Sequence, residues 1–324
     1  MKSVSSAGRL RFAFLALLLP LHAFARGAYP SHPVRIVVPF APGGIADVAS
    51  RLVAAKLGEA WGQAVIVENR GGAGGNLGTV AVARSAPDGY TVLATTTAIA
   101  VNPSLYSNAG YDLEKDLAPV IEVASSPNLI VVNSALGVSN LKELFAKAKT
   151  TKLSYSSPGS GTTPHLTAEH LFRVQEGLDI VHVPYAGAGP AVSAVAAGQV
   201  DIVSTSLPPA VPMIKSGRLR AVGVTSRARV VTLPDVPTVA EQGFPGFEDY
   251  TWVGMFMPAG APPEAVNRMN SEIEKLLATA DMKERLAALG FDPVGGPPAQ
   301  FAAYLKKELA KWAQMVKETG AKVD

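Results

Sequence analysis

The chain of 324 residues has no cysteine, and that single absence excludes disulfides, thiolate nucleophiles and zinc–thiolate centres together. No glycine is followed by lysine, so there is no P-loop, and no G-x-G-x-x-G spacing marks a dinucleotide site. No G-x-S-x-G elbow presents a nucleophilic serine. Ser139-Asn140-Leu141-Lys142 matches S-x-x-K, but it lacks its companion S-D-N and K-T-G motifs and reads as a helix N-cap.

Charge of one sign is scarce as well. The formal excess of +3 traces to Lys2, Arg9 and Arg11, which stand in an N-terminal segment without acidic residues; beyond residue 25 the two signs balance. No basic patch offers a footing for nucleic acid or anionic lipid. Those three residues precede an apolar run, Phe12 to Leu21, and then Ala23-Phe24-Ala25, the pattern of a secretory signal cleaved after Ala25. The run is about half of the ~20 residues that span a bilayer. The periplasm is the expected location.

What is present is α/β in character. Hydrophobic residues make up 48% and charged residues 17%, which suits a packed fold, and the length suits two domains. Short Val- and Ile-rich runs alternate with helical patterns. Strands are predicted at Val34–Pro39, Ala64–Glu68 and Tyr90–Thr95, and a second series at Leu129–Val132, Leu153–Ser156, Ile180–Val183, Val200–Ser204 and Leu219–Thr225. Ile45, Val48, Ala49, Leu52, Val53 and Leu57 recur at helical spacing, giving one apolar face.

Two longer strand-like stretches read as crossings between lobes: Pro119–Asn133, interrupted by Ser125, Ser126 and Pro127, and Tyr250–Pro258, after which only helices are predicted. Lobe one is then discontinuous, 26–124 with 251–324, and lobe two is 125–250. Trp312, on the final helix, reads as a core anchor.

Glycine- and hydroxyl-rich loops follow several strands and open the next helix. PFAPGG at 39–44 carries Asp47 in the helix's first turn; GGAGGN lies at 71–76, TTT at 95–97, YSSPGSGTTPH at 155–165 and VPYAGAGPA at 183–191. In a parallel sheet, ligands gather where strands end and helix N–H groups point outward. A helix N-terminus adds roughly half a positive charge, and glycine lets a ligand oxygen approach the backbone. Recurrence of the device in both lobes points to a neutral, donor-rich cleft. Of the histidines after the signal segment, only His165 sits in such a loop. Its i, i+4 relation to Glu169 reads as a hydrogen bond or ion pair, so neither a metal nor a cofactor is expected.

These loops, in this order, resemble the Bug family, the substrate-binding receptors of tripartite tricarboxylate transporters. The resemblance covers the whole chain after the signal segment and rests on YPSHPVRIVVPFAPGGIADVASRLVA, VIVENRGGAGGNLGT, PDGYTVLATTT, YSSPGSGTTPHLTAEHL, VPYAGAGPA, GQVDIV and LPDVPTVAEQGFPGF. Arg70-Gly71 departs from an Arg-Pro frequent in the family. The resemblance implies a two-lobed Venus-flytrap fold of the periplasmic binding protein type, each lobe a mostly parallel sheet flanked by helices. It implies a receptor that closes on a small carboxylate (a di- or tricarboxylate, an amino acid or an aromatic acid). Transporter subunits or a sensor are the implied membrane partners, and the protein is expected to be a monomer and not an enzyme. The ligand-binding residues so implied are Phe40, Gly43, Gly44 and Thr95 or Thr96 in lobe one and Ser157, Thr162, His165, Tyr185 and Asp201 in lobe two, to which the loop reading adds Asp47 and Gly161. The competing possibility is a periplasmic hydrolase using Ser157 or Ser160 with His165.

Overall fold

A computed structural model describes residues 29–323; the signal segment lies outside them. In chain order the elements are β1 (Val34–Val38), α1 (Ile45–Trp61), β2 (Val65–Asn69), α2 (Asn76–Ala83), β3 (Thr91–Thr96), α3 (Ala98–Leu105), α4 (Leu113–Asp116) and the long β4 (Leu117–Asn133). Then come α5 (Leu141–Ala148), β5 (Ser154–Ser157), α6 (Thr163–Glu169), β6 (Val181–Pro184), α7 (Ala188–Ala196), β7 (Ile202–Ser206), α8 (Leu207–Lys215) and β8 (Leu219–Val224). The chain ends with β9 (Tyr250–Pro258), α9 (Pro263–Ala278), α10 (Ala280–Ala288), β10 (Asp292–Pro293) and α11 (Pro298–Thr319).

Each lobe has a parallel core: β1 pairs with β2 and β3 in lobe one, and β5 pairs with β6 and β7 in lobe two. Antiparallel pairing enters through the two crossing strands. β9 lies between β3 and β4, and β4 pairs antiparallel with β9 as far as Pro127 and with β7 and β8 from Asn128 onward. One 17-residue strand therefore belongs to both sheets. Ser125, Ser126 and Pro127 do not break it, because proline's missing N–H falls where β4 exchanges partners. The stretch after β9 is not wholly helical. β10 adds two residues antiparallel to β4 at Ser125 and Ala124, a bridge too short to leave a periodic signal.

The periodicity of α1 holds: Ile45, Ala49, Val53 and Leu57 are buried, with Val48 and Leu52 half-buried against the same cluster. The S-x-x-K segment opens α5 as a helix N-cap, with Asn140 as the capping residue, whose side chain accepts from Glu143 N. Trp312 is buried in lobe one's second cluster, and Glu308 accepts from both Trp312 Nε1 (3.0 Å) and Trp252 Nε1 (2.9 Å). That pins α11 to the crossing strand β9.

Packing on β9 leaves no room beside Gly254, where a Cβ would stand 2.3 Å from Phe301 Cζ. Overpacking of this kind costs about 1–3 kcal/mol. Gly254→Ala is expected to lower the urea midpoint accordingly; an unchanged midpoint would mean that α11 yields freely.

Candidate functional site

The loops named from sequence bring four helix N-termini to one pocket between the lobes. Gly44, Ile45 and Ala46 of the α1 start line it from lobe one; Thr162 and Pro164 at α6, Ala188 at α7 and Ser206 at α8 line it from lobe two. In the closed form the pocket is narrow. No charged side chain lines it.

None of these four N-termini has a side-chain cap: Gly44 and Gly187 have no side-chain oxygen, Thr162 meets Pro164 at N2, and Ser206 precedes Pro208 and Pro209, which carry no N–H to cap. The Thr162 hydroxyl donates instead to Gly159 O at 2.7 Å. Elsewhere α4, α5 and α10 are capped by Asp112, Asn140 and Thr279, whereas α2, α3, α9 and α11 also have no side-chain cap. The first-turn N–H groups that remain, among them those of Ile45 and Ala46 of α1, Thr163 of α6, Ala188 and Gly189 of α7 and Leu207 of α8, have no side-chain cap, while Pro164, Pro190, Pro208 and Pro209 carry none.

The glycines serve a second end. The lobes are closed: Ala41 N of the β1–α1 loop donates to Ala186 O of the β6–α7 loop at 2.9 Å, and Tyr106 Oη donates to Ser160 O at 3.1 Å. A Cβ on Gly189 would come within 2.3 Å of Pro42 O across this seam, and one on Gly161 within 2.2 Å of Asn102 Oδ1. Backbone meets backbone here. Much of the glycine in these loops permits lobe-to-lobe approach, a use the sequence did not distinguish from approach to ligand.

Of the twelve expected ligand-binding residues, Phe40, Gly44, Thr96 and Thr162 line the pocket. Phe40 also borders an outer recess of about 790 Å³ that Tyr185 lines, so its ring separates the two spaces. Gly43 hydrogen-bonds Asp47 through its N–H, and Gly161 lies at the seam. Thr95 sits in β3 opposite Gly254, on the face of the strand away from Thr96.

Two acids are corrected. Asp47 does not face the pocket: its carboxylate accepts from Gly43 N (2.9 Å), Arg51 Nε (3.0 Å) and Asn69 Nδ2 (2.9 Å). Burial alone would raise its pKa, but the hydrogen bonds from Arg51, Gly43 and Asn69 outweigh it and hold the carboxyl below its ordinary value. Asp47 shapes the loop. Asp201 precedes β7 at the end remote from the pocket, where it accepts from Ser154 N (2.8 Å) and Ser154 Oγ (3.0 Å); it ties neighbouring strands together.

Sequence reasoning missed Ser206 and Thr251, both in the pocket wall. Ser206-Leu207-Pro208 carries a helix-start signature that could have found the first. Thr251 left no local signal, since only the path of β9 brings it there.

Ser157 and His165 also stand apart from the expectation. Ser157 is fully buried and pairs with His182 Nε2 at 2.7 Å, so the pairing needed for a Ser157–His165 hydrolase is not made. The Ser160 carbonyl is engaged by Tyr106. His165 Nδ1 accepts from Gly161 N at 3.3 Å, and its ring stacks on His182, which stacks on Tyr155. Glu169 bonds Tyr155 Oη (2.5 Å) and not His165. Among the described residues no group of three potential metal ligands stands together.

Burial pushes His165 down to about 4; burial and the neighbouring His165 push His182 down to about 3. Below an unfolded-state value of about 6.5 the unfolded chain therefore binds more protons, and stability is lost as pH falls toward the folded values. Burial raises Asp249 to about 6, and burial with nearby Glu308 raises Glu122 to about 7; these act oppositely, so the imidazole contribution must be isolated by difference. The stability gap between wild type and His165→Gln is expected to shrink by on the order of 2 kcal/mol from pH 7 to pH 5. Urea titrations at both pH values measure it, and a constant gap would contradict a buried neutral imidazole.

Residues 49–321 match the family profile described as tripartite tricarboxylate transporter family receptor. BugT of Bordetella pertussis is 38% identical over 299 residues, covering 91% of each chain. The solved periplasmic binding protein BugD superposes with a TM-score of 0.87 at 34% identity, over 91% of this chain and 99% of that one. A Rhodopseudomonas palustris protein with adipate gives 0.87 at 33% identity, covering 91% of this chain and all (100%) of its own. MatC from the same organism, with bound malate, gives 0.84 at 31%, covering 89% and 100%. With its two lobes, its crossing strands and its cleft of helix N-termini, the chain belongs to the tripartite tricarboxylate transporter receptor family, the Bug-type periplasmic binding proteins.

Proposed function

We propose that this protein is an exported receptor that captures a small carboxylate between its lobes, in the periplasm, and presents the closed form to a membrane transporter or sensor. The observation that carries this reading is the set of four uncapped helix N-termini around one uncharged pocket. Partial positive charge from both lobes favours an anion that bridges them, and an anion touching both favours closure. The adipate and malate bound by two relatives fit the same chemistry. We take 1–25 as the signal peptide, 26–124 with 251–324 as lobe one, 125–250 as lobe two, and the receptor as a monomer that needs no cofactor.

A calorimetric panel of di- and tricarboxylates, amino acids and aromatic acids, followed by small-angle scattering, tests the reading. At least one acid should bind and reduce the radius of gyration; no binding by any would overturn it. Gly189→Val is expected to hold the lobes apart at Pro42 and weaken the bound acid at least tenfold, with little change in the ligand-free melting temperature. Unaltered affinity would mean that the seam is not part of the bound state.

A further inference from the structure

A second recess lies beside the hinge and shares no lining residue with the ligand pocket. Leu166 and Thr167 of α6, with Phe247 and Asp249 just before β9, wall it on one side, and Lys311 and Trp312 of α11 wall it on the other. Asp249 is the buried charge among them. Asn128 Nδ2 donates to Asp249 Oδ2 at 2.8 Å, and Thr167 Oγ1 donates to the same oxygen. Both donors are themselves buried and hold the carboxyl in place. The Lys311 ammonium is bound elsewhere: it lies 3.8 Å from Glu308 Oε1 and 4.7 Å from the centroid of the Trp312 ring.

A carboxylate so placed is under-compensated. Burial raises Asp249 to about 6, with the Thr167 and Asn128 hydrogen bonds and the Lys311 charge offsetting only part of the effect, so at neutral pH the group is ionised at a cost that a cation would relieve. Because the Lys311 charge acts on this carboxyl, the two face the same recess. Among the ionised groups of the lining, the acids Asp249 and Glu248 outnumber the one base, Lys311; burial lowers His170, which stays neutral at neutral pH. Lys311 shows what such a lining holds, an ammonium over an indole face with an acid beside it. Its side chain is half exposed, on a flexible four-carbon stem that can swing out to solvent.

We propose that this recess is a second binding site, separate from the ligand pocket, for a small organic cation: an ammonium or guanidinium head paired with Asp249, on an apolar body lying between Leu166, Phe247 and Trp312. An inorganic cation suits it less, since among the described residues no three potential metal ligands stand together. The aromatic and aliphatic walls reward a carbon body, and the buried carboxylate discriminates against an uncharged head. Lys311 is then a tethered competitor, whose ammonium the bound cation displaces or repels.

Calorimetry on the mature protein tests this with benzylamine and butylguanidine, each set against its uncharged counterpart, benzyl alcohol or butanol. At least one cation should bind tenfold or more tightly than its counterpart. Asp249→Asn should bring that ratio toward one. Lys311→Met should tighten the same cation at least threefold, whereas Lys307→Met, on α11 outside the recess, should leave it unchanged; these exposed positions decide the matter if the asparagine variant does not fold. Equal binding of charged and uncharged partners, no binding by either cation, or the same gain from both methionine variants would overturn the site. None of these results bears on the carboxylate reading, which is tested with acids at the other pocket.

Discussion

The structure depends on how closely two backbones can approach across the mouth of the cleft. The bond from Ala41 N to Ala186 O and the contact of Gly189 with Pro42 bring the β1–α1 loop against the β6–α7 loop without side chains between them. Those same loops end at the N-termini of α1 and α7. Closure and assembly of the donor ring are therefore one event, and glycine is required where a Cβ would hold the halves apart.

Charge is handled the same way. The pocket has no lysine or arginine; on the function proposed above, an anion would be held by peptide dipoles fixed by the fold. Asp47, beside the α1 entrance, is held away from the pocket by Arg51, Asn69 and Gly43, so it braces that entrance. Such preorganised groups need little rearrangement when the ligand arrives, and the hinge strand β9 brings Thr251 into the pocket wall as it passes between lobes.

Much of this was legible in the sequence. Strand and helix periods gave both sheets to within a residue or two, and the recurring glycine loops pointed to strand ends that meet at the interlobe pocket. Local pattern could not reveal where a side chain turns once its strand is placed. Asp201 stands in a motif shared with known receptors, yet it binds Ser154 at the far end of β7; Ser157 pairs with His182 because β5 and β6 are neighbours, a relation that sequence distance hides. Thr251 and β10 come from the path of the crossings, which only the assembled sheet defines.

The most direct test is a crystal structure of the mature protein with its tightest-binding acid. A ligand carboxylate oxygen should lie about 2.7–3.2 Å from a first-turn N–H of α1, with a second polar group of the ligand against α6, α7 or α8. A carboxylate held by an arginine or lysine side chain outside this pocket would contradict it.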